Sequence, residues 1–558
     1  MRIALFTVTA AGRRAAAAAS TAIGAELLEL AELEKRWPEL DAAVFFLATG
    51  ATVRLIAPLL TDKDTDPGVV CVDEARRFAV ALTGGHAGGA NVLAQRVAAV
   101  LGAQPVITTA SDAAGTTGLD ELVELLDATG DGDLATAGTA LLDGAARVQN
   151  PLGFPLPPLP PATTTPRHTI TITDRAGTAA VGTTRLVPRT LVVGIGSARG
   201  VSATAVSATL RRLRTEHGLD PRAIRAYASV DRKADEAGIL AAIAPTSLTT
   251  YPAAVLAGVE VPNPSEVVRA EVGTASVAEA AALHAAVELA LGAPVELVVE
   301  KIKGENVTVA ATRIRPRGRL AIVGLGPGAG DLRVPRADAE LRRAAVVVGL
   351  DQYVDQVRHL LRPGTEVRAS GLGAEEQRAA EAVALAVQGH AVALIGSGDA
   401  GVYAMAGPAL QRAGADIEVV GVPGVTAALA AAALLGAPLG HDHVLISLSD
   451  LHTPWPVIER RVAAAATADL VTCFYNPRSR DRHWQLGAAL EALRVHRPPQ
   501  TPVGAVRQAG RTGQRVWWAP LAEFDPAAVD MLTTVIVGSS ATRMVAGRMV
   551  TPRGYRWS

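Results

Sequence analysis

Glycine-dense turns behind apolar runs are where this chain concentrates residues able to do chemistry. The stretch 82–92, LTGGHAGGANV, sets His86 among four glycines just after the run FAVAL. Imidazole titrates near neutral pH, so His86 is a candidate general acid or base. A helix is expected to begin near Asn91, and free main-chain amides there would hold a carboxylate or an oxyanion. The Gly-Lys-Ser/Thr ending of a nucleotide-binding loop is missing, which disfavours ATP. A histidine satisfied in a packed turn explains the same residues without catalysis. Three later turns share a different character. LAIVGLGPG brings Gly326, Pro327 and Gly328 to a strand end; ALIGSGDAGVY brings Gly396, Ser397, Gly398, Asp399, Val402 and Tyr403; VVGVPGVTA brings Pro423, Gly424, Val425 and Thr426. These turns carry almost no lysine or arginine, so they suit a ligand with a positive sulfonium better than a phosphate. Within them Asp399 reads first as a loop cap. Gly324, Gly326 and Ala329, with Asp351 downstream, also satisfy the dinucleotide fingerprint formally, and a nicotinamide oxidoreductase is the corresponding alternative.

Such turns need rigid elements beneath them. Apolar runs that read as buried strands (AAVFFLATG, TLVVGIGS, VELVVEKIK, RLAIVGLG, AAVVVGLD, AVALIGSG, TTVIVGSS) alternate with helix-forming segments, which predicts parallel sheets covered on both faces. Three strand-end turns would then converge at the carboxyl edge of one sheet, where doubly wound folds bind ligands. The length of 558 residues suggests about three to four domains. The Pro-rich segment 150–169 reads as a semi-rigid extended connector, and the basic stretch TRIRPRGR at 312–319 as a second seam. The fold class is α/β and multidomain, cut into 1–130, 131–189, 190–315, 317–435 and 436–558.

Composition narrows the function further. A net charge of −1 and 3% aromatics give neither the basic field nor the stacking platforms of a nucleic-acid binder. Two cysteines, Cys71 and Cys473, exclude a disulfide framework and a four-cysteine cluster, as expected of a reducing cytoplasm. The arginines of MRIALFTVTAAGRR follow the apolar run, the reverse of a signal peptide, and no run is long enough to span a bilayer. No metal site is expected: His441 and His443 in GHDH read as a loop ending.

The motifs GLGPG, GSGDAGVY and VPGVTA resemble those of the tetrapyrrole methylase family, which binds S-adenosylmethionine between two α/β lobes. ISLSDLHTPWPVIERRV (446–462), CFYNPRSRDR (473–482) and TVIVGSSATRMVAGRMVTPRGY (534–555) are similar to its precorrin-3B C(17)-methyltransferase branch. The resemblance spans about 320–555 and implies a two-lobed fold, methylation of a ring carbon coupled to ring contraction, a methyl-donor cleft at the three turns, and a homodimer. Because the macrocycle is a polyacid, Arg478, Arg480 and Arg543 are candidate anchors through bidentate contacts; a solvated surface charge is the alternative for each. Ala400 and Ala404 depart from the family pattern, where proline and glycine are usual.

A second resemblance covers about 1–315. TGGHAGGAN, with FLATGATVRLIAPLLTDKDTDPGVVCVDE, PVITTASD, YASVDRKADEAGIL and VVEKIKGENVTVAATRI, is similar to cobalt-precorrin-5A hydrolase, which opens a lactone and releases acetaldehyde. That chemistry requires a water-activating base, an oxyanion site and carboxylate anchors. His86 is the candidate base, the 84–91 loop the candidate oxyanion site, and Arg54 and Lys63 the candidate anchors. Asp231, Lys233 and Glu236 form a charged cluster in which Lys233 and Glu236 are candidate catalytic groups, or an ordinary surface ion pair one helical turn apart. The chain thus reads as a fusion of two cobalamin-pathway enzymes. The alternative is a single methyltransferase carrying a non-catalytic tetrapyrrole-binding N-terminal module.

Overall fold

The computed structural model describes residues 2–555 except 63–64, 86–87, 164 and 480–481, with the side chains of 112 and 113 also left aside. The chain forms two compact units, Met1–Pro316 with Arg362–Gly364, and Arg317–Leu361 with Thr365–Ser558.

Among the described residues the first unit holds three sheets. Strands β1 (Ile3–Thr7), β2 (Ala25–Leu28), β3 (Ala42–Phe46), β4 (Gly68–Val72), β5 (Phe78–Thr83) and β6 (Gln104–Val106) lie in the order β2-β1-β3-β4-β5-β6. A four-stranded sheet, β7 (Ala128–Gly132), β8 (Ala146–Gln149), β9 (His168–Ile172) and β10 (Thr183–Pro188), follows in the order β7-β10-β9-β8. Among the described residues the Pro-rich segment contributes no strand or helix before His168 and Thr169, which enter β9, as its prolines dictate. It is nonetheless packed: Leu152, Phe154, Leu156 and Leu159 lie on the core of this small sheet, and the Pro158 carbonyl accepts from Thr117 Oγ1 at 2.6 Å. Its apolar side chains make it a wall rather than a free connector. The third sheet orders β11 (Leu191–Ser197), β12 (Ile224–Val230), β13 (Leu248–Tyr251), β14 (Val295–Lys303) and β15 (Val307–Ile314) as β13-β12-β11-β15-β14.

The second unit is built on an all-parallel sheet, β18-β17-β19-β16-β20, from β16 (Arg319–Gly324), β17 (Val346–Leu350), β18 (Glu366–Ser370), β19 (Ala391–Gly396) and β20 (Glu418–Val422). Alternation explains its layering. Leu320, Ile322, Val346 and Val348 enter one core while Ala321, Val323, Val347 and Ile395 enter another, so both faces are covered by helices. After β21 (Gly436–Ala437) comes a second sheet, β22 (His443–Ser447), β23 (Val471–Tyr475), β24 (Pro502–Arg507), β25 (Arg515–Pro520) and β26 (Thr533–Val537), ordered β22-β23-β26-β24-β25. The short strands β27 (Arg543–Val545) and β28 (Arg548–Val550) join β21 in a three-stranded sheet.

The expectation of parallel sheets throughout holds only for the β16–β20 sheet. Strands β15 and β26 are antiparallel to their neighbours. For β14 and β15 the reason is local: the link Gly304–Asn306 is a hairpin, far too short for the crossover that parallel strands need.

Candidate functional site

In the second unit the order β19-β16-β20 places three strand ends side by side, so the three turns named above emerge from adjacent strands. Main chain meets main chain there. Gly326 N–H donates to the Gly398 carbonyl at 3.0 Å and Gly398 N–H to Gly326 at 2.7 Å, an isolated antiparallel bridge across two turns. Gly326 and Gly398 take positive φ (74° and 65°), which glycine adopts at little cost. A Cβ on Gly424 would lie 2.9 Å from the carbonyl carbon of Gly324 and closer still to the Gly398 oxygen. Asp399 binds the arrangement together: its Oδ1 accepts from Gly401 N–H at 2.8 Å and its Oδ2 from Gly424 N–H at 3.0 Å. The carboxylate is therefore a clasp between two of the turns, the capping role expected of it. By contrast a Cβ on Gly396 would meet nothing nearer than Ala404 Cβ at 3.8 Å.

Val402 closes a turn on the Asp399 carbonyl, and Tyr403 follows at φ 52°, a strained backbone for a bulky residue. The Tyr403 hydroxyl donates to the Leu445 carbonyl of β22 at 2.7 Å, and its ring lies 5.3 Å from that of Tyr475 at the end of β23. Tyr475 caps the helix that follows the third turn: its hydroxyl accepts from Ala428 N–H at 2.9 Å and pairs with Thr426 Oγ1 at 2.6 Å. Burial pushes both phenols above the ordinary tyrosine value. Ser397 and Pro327 meet Arg511, a residue on the β24–β25 turn: its guanidinium donates to the Pro327 carbonyl at 2.6 Å and to Ser397 Oγ at 2.7 Å. A cation from outside the turns therefore borders them. The three turns hold almost no cations themselves, but the second lobe delivers one, and motif reading within the turns had no means of finding a residue so distant in sequence. Its face lies 6.0 Å from the Tyr353 ring centroid.

The formal dinucleotide fingerprint does not open a helix. After Gly324 the chain makes a short turn at Gly330–Leu332, and the next helix starts at Pro335. The helix N-terminus that would receive a pyrophosphate is not presented by that loop.

The candidate anchors are dispersed. Arg478 is half-buried with a long contact of 3.5 Å to the Pro526 carbonyl, Arg543 is exposed on β27, and Arg480 lies outside the described residues. Arg482, not singled out in the sequence, is buried where the segments 446–462 and 473–482 meet. It donates to the Asn476 carbonyl at 2.9 Å, Asn476 Nδ2 donates to Ser447 Oγ at 3.1 Å, and Gln485 Nε2 donates to Asp450 at 3.0 Å. Burial pushes the Arg482 guanidinium below its ordinary value, with Asp450 opposing. His441 and His443 are engaged with the main chain of their own loop.

In the first unit His86 and Lys63 lie outside the described residues. Around position 86 the glycines make a tight corner. A Cβ on Gly88 would meet Gly68 N at 2.6 Å, and the Gly84 and Gly89 φ values are 65° and 69°. Ala90 N–H donates to the Gly84 carbonyl and Asn91 N–H to the Gly85 carbonyl, both at 3.0 Å. Those two amides, expected to be free for an oxyanion, are thus used inside the loop. Arg54 bonds back to its own helix at Gly50, and Asp231 receives the Arg232 N–H. Lys233 and Glu236 are not a surface pair. Nζ and Oε2 are 3.0 Å apart with side chains 11% and 7% exposed, and Glu236 Oε1 accepts from Gly200 N–H at 2.8 Å. Burial pushes Glu236 up, but Lys233 and the Gly200 amide outweigh it and hold the carboxyl below the ordinary range. The pair pins the loop after β11 to the helix Ala237–Ile243.

This is the architecture of a two-lobed α/β ligand-binding enzyme unit preceded by separate α/β domains. Residues 319–525 match the family described as Tetrapyrrole (Corrin/Porphyrin) Methylases, residues 31–112 match Cobalamin synthesis G N-terminal, and residues 191–312 match Cobalamin synthesis G C-terminus. A "Probable cobalt-factor III C(17)-methyltransferase" of Salmonella typhimurium is 47% identical over 242 residues, 42% of this chain and 99% of the relative. A "Precorrin-3B C(17)-methyltransferase" of Sinorhizobium sp is 42% identical over 252 residues, 43% of this chain and 97% of the relative. Other relatives are matched over about half their own length. Among solved structures, that of the methyltransferase CobJ shares 37% identity, covers 42% of this chain and 100% of its own, and has a TM-score of 0.40. Through its second unit the chain belongs to the cobalt-factor III and precorrin-3B C(17)-methyltransferase family, here fused to cobalamin synthesis G domains. Among the described residues, no helix is long and apolar enough to cross a membrane.

Proposed function

We propose that residues 317–558 transfer the methyl group of S-adenosylmethionine to C17 of a precorrin-3B-type macrocycle or its cobalt form, with ring contraction, and that residues 1–315 open the lactone of a cobalt-precorrin-5A-type macrocycle. Both steps belong to cobalamin biosynthesis. The observation that carries the first is the clasped set of turns at β16, β19 and β20. Asp399 and Arg511 both bond to these turns and carry opposite charges, so their sum leaves little net charge to oppose a cationic methyl donor. The open space above Gly396 is where bare main chain leaves room. In the transfer a bond forms from the methyl carbon to the ring carbon while the C–S bond breaks toward sulfur, leaving S-adenosylhomocysteine. Such an in-line displacement asks the protein for alignment and dry walls. The turns bearing Gly326, Pro327, Gly328, Ser397, Gly398, Val402, Tyr403, Pro423, Val425 and Thr426 supply the first. Arg478, Arg480 and Arg543 remain the proposed carboxylate anchors, joined by Arg482. A homodimer is part of this reading, to be measured by light scattering.

For the first unit His86 is the proposed base, with Lys233 and Glu236 as positioning residues. The engaged amides of Ala90 and Asn91 favour a second reading, in which this unit binds the macrocycle without hydrolysing it. The experiment uses the full chain. Isotope-labelled S-adenosylmethionine with precorrin-3B or cobalt-factor III should give a product one methyl heavier by mass spectrometry. S-adenosylhomocysteine should bind by calorimetry and NADH should not displace it. Acetaldehyde trapped from the lactone intermediate, and lost in His86→Ala, supports the hydrolase; none trapped from the wild-type chain leaves the binding module.

A further inference from the structure

The helix Val277–Ala290 starts over the end of β11, on two glycines. A Cβ on Gly196 would stand 3.1 Å from Val277 Cβ and 3.5 Å from Ala278 N, so Gly196 leaves that amide uncovered. The sequence Ser276-Val277-Ala278-Glu279 has the form of a capping box, in which serine and glutamate satisfy the first turn reciprocally. Neither half of it forms. Ser276 makes no side-chain cap, and its Oγ, in a residue 1% exposed, has no hydrogen-bond partner among the described residues. Glu279 turns away instead, accepting at Oε1 from Asn263 Nδ2 at 2.8 Å and Lys301 N–H at 3.0 Å. That choice builds a wall from the loop 262–265 and strand β14; the carboxylate stays in the first turn, with its Oε2 unpartnered among the described residues, but it does not complete the capping box.

The uncapped turn borders a cavity of about 740 Å³, lined among others by Ser197, Ser276, Glu271, Lys301, Lys303 and Asn306. Ser197 Oγ is likewise buried without a partner among the described residues. Two unsatisfied hydroxyls beside the positive end of a helix form a set of donors awaiting an acceptor. Two lysines and one glutamate line it; Lys301 Nζ is already bonded to the Asn263 carbonyl, and Glu279 and Glu300 both accept from Asn263 Nδ2, so the donors open to an anion are the two hydroxyls, the helix start and Lys303. The volume lies within the range of sites for whole organic ligands and is far larger than an inorganic ion needs.

We infer that this cavity is a binding site for a carboxylate arm of an organic ligand, with the first turn of the Val277 helix and the hydroxyls of Ser276 and Ser197 as donors. The inference rests on the hydrolase reading only for the ligand's identity, a macrocycle bearing acetate and propionate arms. Hydrogen exchange read by mass spectrometry tests it on the full chain, with uroporphyrin as the carboxylate-bearing probe and its fully esterified form as control. The free acid should slow exchange at residues 277–280 at least tenfold, and the ester should leave it unchanged. Ser276→Asp places the protein's own carboxylate on those amides; it should abolish the probe's effect while the melting temperature holds or rises. Ser197→Ala, which removes one donor, should weaken the protection about fivefold in probe concentration. Unchanged exchange at 277–280 with the free acid, equal protection by the ester, or full protection in Ser276→Asp would each overturn the site. Protection without acetaldehyde release would instead retire hydrolysis and leave the site standing.

Discussion

Gly424→Ala is the sharpest probe of the methyl-donor cleft, because it adds one methyl where three turns already touch. Carbon atoms pack at roughly 3.5–4.0 Å, whereas a Cβ at 424 would lie 2.9 Å from the Gly324 carbonyl carbon and nearer to the Gly398 oxygen. The turns must therefore part by about 1 Å. The bonds in the way are short: Gly326 to Gly398 at 3.0 and 2.7 Å, and Gly424 to Asp399 at 3.0 Å. Lengthened by that amount they leave hydrogen-bond range. Losing the two neutral bonds and the charged one costs about 4 kcal/mol, above the usual range for overpacking. For a unit of this size that is a fall of roughly 8–16 °C in melting temperature. The affinity for S-adenosylhomocysteine should drop at least about tenfold, or ~1.4 kcal/mol. Calorimetric melting and titration measure both. Gly421→Ala is the control: nothing lies within 4 Å of its Cβ, so it should be neutral or stabilise by up to about 1 kcal/mol. Gly396→Ala separates fold from function. Its nearest neighbour is at 3.8 Å, so stability should change by less than about 0.5 kcal/mol, while ligand affinity falls if the space is reserved for the donor. A Gly424→Ala chain that melts and binds as the wild type would refute the reasoning.

Three further outcomes follow from the same geometry. Arg511→Ala removes the donors to Pro327 and Ser397; freed turns should weaken S-adenosylhomocysteine binding about tenfold, and the loss of two charged hydrogen bonds should lower the melting temperature as well. Tyr475→Phe removes the acceptor for Ala428 N–H and should destabilise the second unit by about 1 kcal/mol, read from denaturant midpoints. Lys233→Met leaves Glu236 buried without its partner, costing about 3 kcal/mol at neutral pH. Glu236 is held below its ordinary value, so its contribution is present above the unfolded-state value, about 4.3, and disappears as pH falls through the lower folded value. In Lys233→Met burial is no longer opposed by the lysine and the folded value rises, so the deficit of the variant should be largest near neutral pH and narrow as pH falls, read from urea titrations.

What could be read from the sequence is what local pattern controls. Gly326, Gly398 and Gly424 stand where turns end apolar runs, while the order β19-β16-β20 that makes their strands neighbours is a matter of topology. Side chains that arrive from elsewhere left no local mark: Arg511, Arg482 and Tyr475 reach their positions through the second lobe's topology. Strand direction was hidden for a related reason, since a run such as TTVIV is equally apolar in a parallel or an antiparallel sheet. Burial was hidden too. The spacing of Lys233 and Glu236 predicts that they touch but is silent on whether water reaches them, and the loop that covers them is fixed by Gly200 from another strand end.

The two units use strand-end glycine in opposite ways, and the difference predicts ligand charge. Where the three turns cross, the Gly401 and Gly424 amides receive an internal carboxylate, Asp399, so an anionic ligand would compete with a group already in place. At Gly196 the corresponding carboxylate, Glu279, has been drawn off to Asn263 and Lys301, and the hydroxyls of Ser276 and Ser197 are left without acceptors. A cleft whose carboxylate is bonded to its own amides leaves no amide site for an anion; a helix start whose serine cap is unmade keeps donors for one. Exchanging the two conditions should exchange the preferences. Asp399→Asn, which keeps an acceptor for one amide but sets a donor against the other, should weaken S-adenosylhomocysteine binding by about 1–3 kcal/mol. It should do so without affecting exchange at residues 277–280. A common loss at both places would mean that the two carboxylates are not the local determinants the geometry makes them.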